Sequence, residues 1–229
     1  MKTRPGEAGN EGPYEALLVD YGGVLTSAIS ASFAQFCLAT GVSPERLRLV
    51  LAVAYRGEPG EDDTPEGLED LVPAMETGRM PVEEFNDRLA AVLSEGLAQP
   101  VEGIDLTTRL FDGTVPDERM IDAVRTAHIH GITTALVSNT WGIRDTPSWY
   151  DDVFDAVLLS GQEGLRKPEP EIFRLAARRV GAQPNACVFV DDIAANVEGA
   201  RAVGMAGIVH RHADITIPKL EELLGIRLH

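Results

Sequence analysis

Cysteine is nearly absent, with 2 among 229 residues and no C-x-x-C spacing. That argues against a disulfide scaffold and against cysteine-based metal sites. Cys187 stands inside an apolar strand and Cys37 on a helical apolar face, so both read as small core residues. A reducing cytoplasm is the expected compartment. No run approaches the ~18 consecutive apolar residues of a membrane span. Residues 1–13 are rich in Gly, Glu and Pro and lack the apolar core of a secretory signal, which predicts a disordered tail. Basic residues are also scarce: 20 Lys and Arg against 36 Asp and Glu give a formal net charge of -16. Such a balance argues against non-specific nucleic-acid or anionic-membrane partners, which need a basic face. An anionic small molecule stays admissible, because one lysine, backbone amides and a bound cation can reverse the sign of a single pocket.

What the chain does have is a series of short apolar runs, each ending in a reactive polar group. Residues 16–19 end in Asp20, residues 134–137 in Ser138-Asn139, and residues 186–190 in Asp191-Asp192; between the last two lies Gly164-Leu165-Arg166-Lys167-Pro168. From Pro116 onward, strand and helix patterns alternate. Helices are predicted over 117–130, 169–180, 194–203 and 219–224, and strands over 132–137, 156–159, 186–190 and 207–210. Gly131, Gly181 and Gly204 close the first three helices. This order predicts an α/β fold, a doubly wound parallel sheet with right-handed crossovers and helices on both faces. Residues 27–113 instead keep helical periodicity with no strand. There Phe33, Phe36, Cys37 and Thr40 form a stripe ended by Gly41, Ser43-Pro44 reads as a cap with proline at the first helical position, and 57–67 reads as an acidic solvated loop. The expected division is a core of 14–26 and 114–229 with a helical domain, 27–113, inserted after the first strand.

In an open parallel sheet, ligands bind beyond the carboxyl ends of the strands. An isolated Asp20 would read as a turn cap, but Gly22-Gly23 follows it and permits close backbone approach. Asp191 and Asp192 repel each other, and a third carboxylate nearby adds to the cost, roughly 4 kcal/mol per close pair at an effective dielectric of ~20. Either a pKa rises or a cation sits among them, and Mg²⁺ suits carboxylates, waters and a phosphate. Ser138 and Asn139 can donate to phosphate oxygens, or cap a helix. Lys167, held beside Pro168 and Pro170, can neutralise a phosphate or stand as a surface lysine. Asn196 is placed to orient the acidic pair from the next helix.

Asp20-Tyr21-Gly22-Gly23-Val24-Leu25-Thr26, Ser138-Asn139, Gly164-Leu165-Arg166-Lys167-Pro168 and Asp191-Asp192-Ile193-Ala194-Ala195-Asn196 together resemble the four ordered motifs of the haloacid dehalogenase (HAD)-like hydrolases. The last motif is similar to that of the N-terminal phosphatase domain of soluble epoxide hydrolase and of small bacterial sugar-phosphate phosphatases. The resemblance implies a Rossmann-like core with the helical insertion as a cap, and a small phosphorylated metabolite as substrate. It further implies that Asp20 attacks phosphorus to form an aspartyl-phosphate. Mg²⁺ would be held by Asp20, the Gly22 carbonyl, Asp192 and, nearby or through water, Asp191. Ser138, Asn139 and Lys167 would bind phosphoryl oxygens.

One position departs from that pattern. Where the family's phosphatases carry a second Asp as general acid, this chain has Gly22, which predicts slow or leaving-group-dependent turnover. Two other readings stand beside hydrolysis of a phosphomonoester: a 2-haloacid dehalogenase, disfavoured by the extra carboxylates, and a non-catalytic phosphate-binding module. His128-x-His130 is not expected to form a metal pair, since residues two apart do not share a helix face. Glu61-Asp62-Asp63 lacks a calcium-loop pattern, and His210-Arg211-His212, after the last strand at the same sheet edge, could touch a ligand but is expected in a solvated loop. Trp141 could pack on substrate or anchor its loop against the insertion.

Overall fold

The computed structural model describes residues 14–56, 68, 70–141 and 149–229; the expected tail over 1–13 and the expected loop over 57–67, with Glu61-Asp62-Asp63, lie outside them. Five strands, β1 (Ala16–Val19), β2 (Thr133–Ser138), β3 (Ala156–Leu159), β4 (Cys187–Asp191) and β5 (Ala206–Val209), form one sheet in the order β3-β2-β1-β4-β5. Every pairing is parallel. The chain leaves β1 toward β2 and β3 on one side, then returns to β4 and β5 on the other. The crevice between β1 and β4 is therefore the point where the winding reverses, the usual ligand site of such sheets.

Strand alternation divides the core in two. Leu17 and Val19 of β1, with Leu136, Val188, Val190 and Ile208, face one side; they meet α6 (Glu118–Ile129), α7 (Tyr150–Val153) and α11 (Ala213–Leu224). Ala16 and Leu18, with Ala135, Val137, Cys187 and Phe189, face the other. Here they meet α9 (Pro170–Arg179) and α10 (Ala194–Ala202), while the single turn α8 (Ser160–Glu163) follows β3. Each buried Val or Leu contributes roughly 1.5–3 kcal/mol, and both faces of β1 collect it. A strand buried on both faces reads as an unbroken apolar run.

Between β1 and β2 come α1 (Ile29–Thr40), α2 (Pro44–Arg56), α3 (Leu71–Glu76), α4 (Val82–Leu93) and α5 (Leu106–Phe111), with no strand among the described residues. These helices enclose a separate apolar cluster of Phe36, Val50, Leu71, Phe85, Leu89 and Leu106 among others. Gly41 ends α1 in the left-handed conformation at φ 77°, and the Ser43 hydroxyl accepts from the Arg46 amide to start α2. The chain enters and leaves this block side by side: Thr26 and Pro116 form an antiparallel bridge, the Ser27 amide donates to the Val115 carbonyl at 2.7 Å, and the Asp117 amide to Leu25 at 2.9 Å.

Two expectations need correction. The last helix begins at Ala213 rather than Lys219 and carries Pro218 inside it. Proline removes one intrahelical bond, to Asp214 in the first turn, and the stripe Ala213, Thr216, Ile217, Leu220, Leu224 buries enough surface to offset that loss. His210 is not in a solvated loop: it is buried, with Nδ1 2.9 Å from the Thr216 hydroxyl, and it pins α11 to the end of β5.

Candidate active site

Asp20 leaves β1 with its amide still donating to the Val190 carbonyl at 2.9 Å, so the strand's end is fixed beside the end of β4. The β1–β4 register pairs Val19 with Val190, and the residues that follow on each side are therefore carboxylates. Oxygens of Asp20, Asp191 and Asp192 come within 4.8 Å of one another. Lys167, only 1% exposed, reaches into the same place, its Nζ 2.7 Å from Asp20 Oδ1 and 2.7 Å from Asp191 Oδ2.

The partners divide unevenly. Asp191 accepts from the Ile193 amide (2.8 Å), from Asn196 Nδ2 on both oxygens (3.1 Å each) and from Lys167. Asn196 thus holds Asp191, not Asp192. Asp192 is held through its carbonyl, which accepts from Arg211 Nη1 at 2.9 Å. Its carboxyl Oδ1 is buried without a hydrogen-bond partner among the described residues. Burial pushes the Asp20 carboxyl up to about 7 against the pull of Lys167, with Asp191 adding to the rise. Burial and then Asp191 push Asp192 up to about 6. For Lys167, burial would lower the pKa, but the charges of Asp191 and Asp20 outweigh it and leave the ammonium above its ordinary range. These are the marks of acidic groups crowded in a low-dielectric place with too little positive charge.

Three carboxylates within reach of one another, one with an oxygen that has no hydrogen-bond partner among the described residues, offer hard oxygen donors, which fit Mg²⁺. Gly22 also faces the cleft. Ser138, at the end of β2, is buried on the cleft floor. Asn139 lines it too, but its side chain is occupied: Oδ1 accepts from the Lys167 amide at 2.9 Å, and Nδ2 donates to the Lys167 carbonyl at 3.0 Å and to Glu76 Oε2 at 3.1 Å. The amide expected to meet phosphate instead clamps the backbone of the lysine.

Glu76 escaped the sequence reading. It ends α3, is fully buried, and accepts from Arg166 Nε at 2.7 Å and from Trp141 Nε1 at 2.8 Å besides Asn139. The only signal in the sequence is an acid closing the apolar run 71–75. Trp141 stands edge-on to Phe85 and Phe111, with centroids 5.3 and 5.6 Å away, so it anchors its loop against the helical block while also lining the cleft. His128 and His130 part company as expected, the first meeting Asp155 and Thr134, the second the Thr126 carbonyl.

Comparison with known proteins agrees with this geometry. The sequence profile of the haloacid dehalogenase-like hydrolases matches residues 14–204. Over 52% of its length the chain is 28% identical to bifunctional epoxide hydrolase 2 of Sus scrofa, of which the match spans 24%. Over 55% of its length it is 32% identical to a phosphatase of Mycobacterium tuberculosis, covering 59% of that protein. The chain thus spans about a quarter of the first relative and less than two thirds of the second. Among solved structures, a HAD family enzyme of Bacteroides thetaiotaomicron in complex with magnesium and inorganic phosphate superposes with a TM-score of 0.58 at 21% identity, over 86% of this chain and 94% of that one.

Proposed function

The chain belongs to the haloacid dehalogenase-like hydrolase family, and on that premise we propose that it is a Mg²⁺-dependent phosphomonoester hydrolase acting on a small phosphorylated metabolite through an aspartyl-phosphate at Asp20. The observation that carries this reading is the convergence of Asp20, Asp191 and Asp192 within 4.8 Å beneath a buried lysine. The phosphatase names among the relatives and the magnesium and phosphate bound by the Bacteroides enzyme point the same way.

In this reading Asp20, the Gly22 carbonyl and Asp192 hold the ion, with Asp191 beside them. Mg²⁺ supplies charge neutralisation for the carboxylates and the phosphoryl oxygens. Lys167 pulls Asp20 toward its ionised form, which the bound cation would complete, and aims it, while Ser138 and the Lys167 ammonium receive phosphoryl oxygens. One Asp20 oxygen bonds to phosphorus as the ester P–O bond breaks, and the departing alkoxide takes its proton from water because position 22 has none to give. Water then attacks phosphorus, releasing inorganic phosphate and restoring the Asp20 carboxylate. Asn139 holds the lysine in register, and the helical block serves as a cap that limits water and selects the substrate. A dehalogenase needs no such crowd of acids, which would repel a haloacid anion.

The test is hydrolysis of p-nitrophenyl phosphate. Activity should need Mg²⁺, vanish with chelator and return on re-addition, and fall at least a thousandfold in Asp20→Asn. Equal rates with chelator, or in the variant, would overturn the reading.

A further inference from the structure

The cleft above Asp20 has a volume of about 1170 Å³, larger than the ~300–1,000 Å³ that ordinarily holds a small ligand. A phosphoryl group takes up only its polar floor. The remaining space is walled by the helical block: Phe33 from α1, Leu47 and Leu51 from α2, Phe111 from α5, with Trp141 from the loop after β2 packed beside Phe111. All five belong to the block's apolar cluster or pack against it. Beyond the floor, the charged side chains on the described lining are Arg166, already tied to Glu76, and the exposed pair Arg48 and Asp112. Lys167 is the sole lysine on that lining, and it is held by two carboxylates. Ser30, Thr107, Thr108 and Thr114 add hydroxyls to that lining, but Thr107 is buried and the Thr114 hydroxyl already donates to the Phe111 carbonyl. A polyhydroxylated sugar or a nucleoside would therefore leave most of its hydroxyls against rings and aliphatic carbon, losing hydrogen bonds to water without full replacement. An apolar chain of similar length gains from every methylene it buries.

We propose that this site takes phosphomonoesters whose alcohol is a long apolar chain, with the phosphate on the acidic floor and the chain lying along α1, α2 and α5. The proposal rests on the phosphatase reading for its chemistry, but on the cleft wall alone for its selectivity.

The n-alkyl phosphates separate the two, since propyl, hexyl and decyl phosphate share one leaving-group basicity and differ only in the tail. With Mg²⁺, and below the concentrations at which the longer esters form micelles, kcat/KM should rise at least tenfold from propyl to decyl, through KM. Decyl phosphonate, which cannot be hydrolysed, should bind at least tenfold more tightly than propyl phosphonate in titration calorimetry. Glucose 6-phosphate should be a poorer substrate than decyl phosphate. Leu51→Glu should flatten the chain-length dependence. Ala34→Glu should do the same from an exposed position of α1 on the same lining, where folding is not at stake. Affinities level along the series, or a preference for glucose 6-phosphate, would overturn the proposal even if p-nitrophenyl phosphate is turned over. Chain-length-dependent phosphonate binding with no turnover of any ester would leave the apolar cleft standing and remove the phosphatase reading.

Discussion

Gly22 and Gly23 follow the same aspartate and answer to opposite constraints. Gly23 has φ 73°, and a Cβ there would lie 2.4 Å from Asp192 Oδ2. No other residue lets the turn pass so close to the acidic group. At Gly22 a Cβ would meet only the tip of Ile29, at 2.9 Å, a flexible end that can turn aside. Gly22→Asp is therefore accommodated, and it adds a proton donor where the site lacks one. General acid help is worth roughly 10²–10⁴-fold where the leaving group needs it. Steady-state kinetics should show at least a tenfold gain in kcat on hexyl phosphate and little change on p-nitrophenyl phosphate, whose phenolate departs unprotonated. An equal gain on both esters, or none on either, would mean the proton travels by a route that bypasses position 22. At this scale much of the site was legible, because Asp20, Asp191 and Asp192 each follow an apolar run and Lys167 stands just before Pro168. The part played by Asn139 was not. Its residue type allows contact with phosphate or with backbone, and only the fold shows its amide facing Lys167.

At the scale of elements, the strands and most long helices follow from periodicity and punctuation, whereas α3, α5, the single turns α7 and α8 and the start of α11 do not. Six-residue α3 is too short to establish a period, and Pro218 hides the helix that continues before it. Short α3 nonetheless ties the helical block to the loops of the candidate site. Glu76 accepts from Arg166, Trp141 and Asn139, and Asn139 in turn holds the backbone of Lys167. The Arg166–Glu76 pair is nearly dry, with side chains 10% and 0% exposed. Removing one partner of such a pair costs about 3–5 kcal/mol. Glu76→Ala should lower stability by that order in urea unfolding. Glu76→Gln should keep the shape but turn a donor toward Arg166 or Asn139, lowering kcat tenfold or more once Lys167 loses its register. Should Glu76→Gln melt and turn over like the parent, α3 would be a packing element with no hold on the site.

For the whole molecule the governing quantity is a surplus of negative charge, -16 overall, and it is most crowded where three carboxylates face one buried lysine. Without a cation, Asp20 moves from 3.8 to about 7 and Asp192 from 3.8 to about 6. Between the unfolded and folded values the native protein binds protons that the unfolded chain has released. These two groups therefore support the fold fully below pH about 4. Their contribution drains as pH rises through 6 and 7 and is gone above that. A divalent ion favours the ionised carboxylates, so it restores most where the loss is complete. At a hundredfold excess over its dissociation constant, Mg²⁺ adds about 2.7 kcal/mol, which for a domain of this size is roughly 5–10 °C in Tm. Thermal melts with chelator and with Mg²⁺ should differ by that much at pH 8 and by clearly less at pH 5.5, and Asp192→Asn should erase most of the pH 8 difference. A Mg²⁺ effect that is as large at pH 5.5 as at pH 8, or that survives in Asp192→Asn, would mean the ion binds elsewhere on this acidic chain.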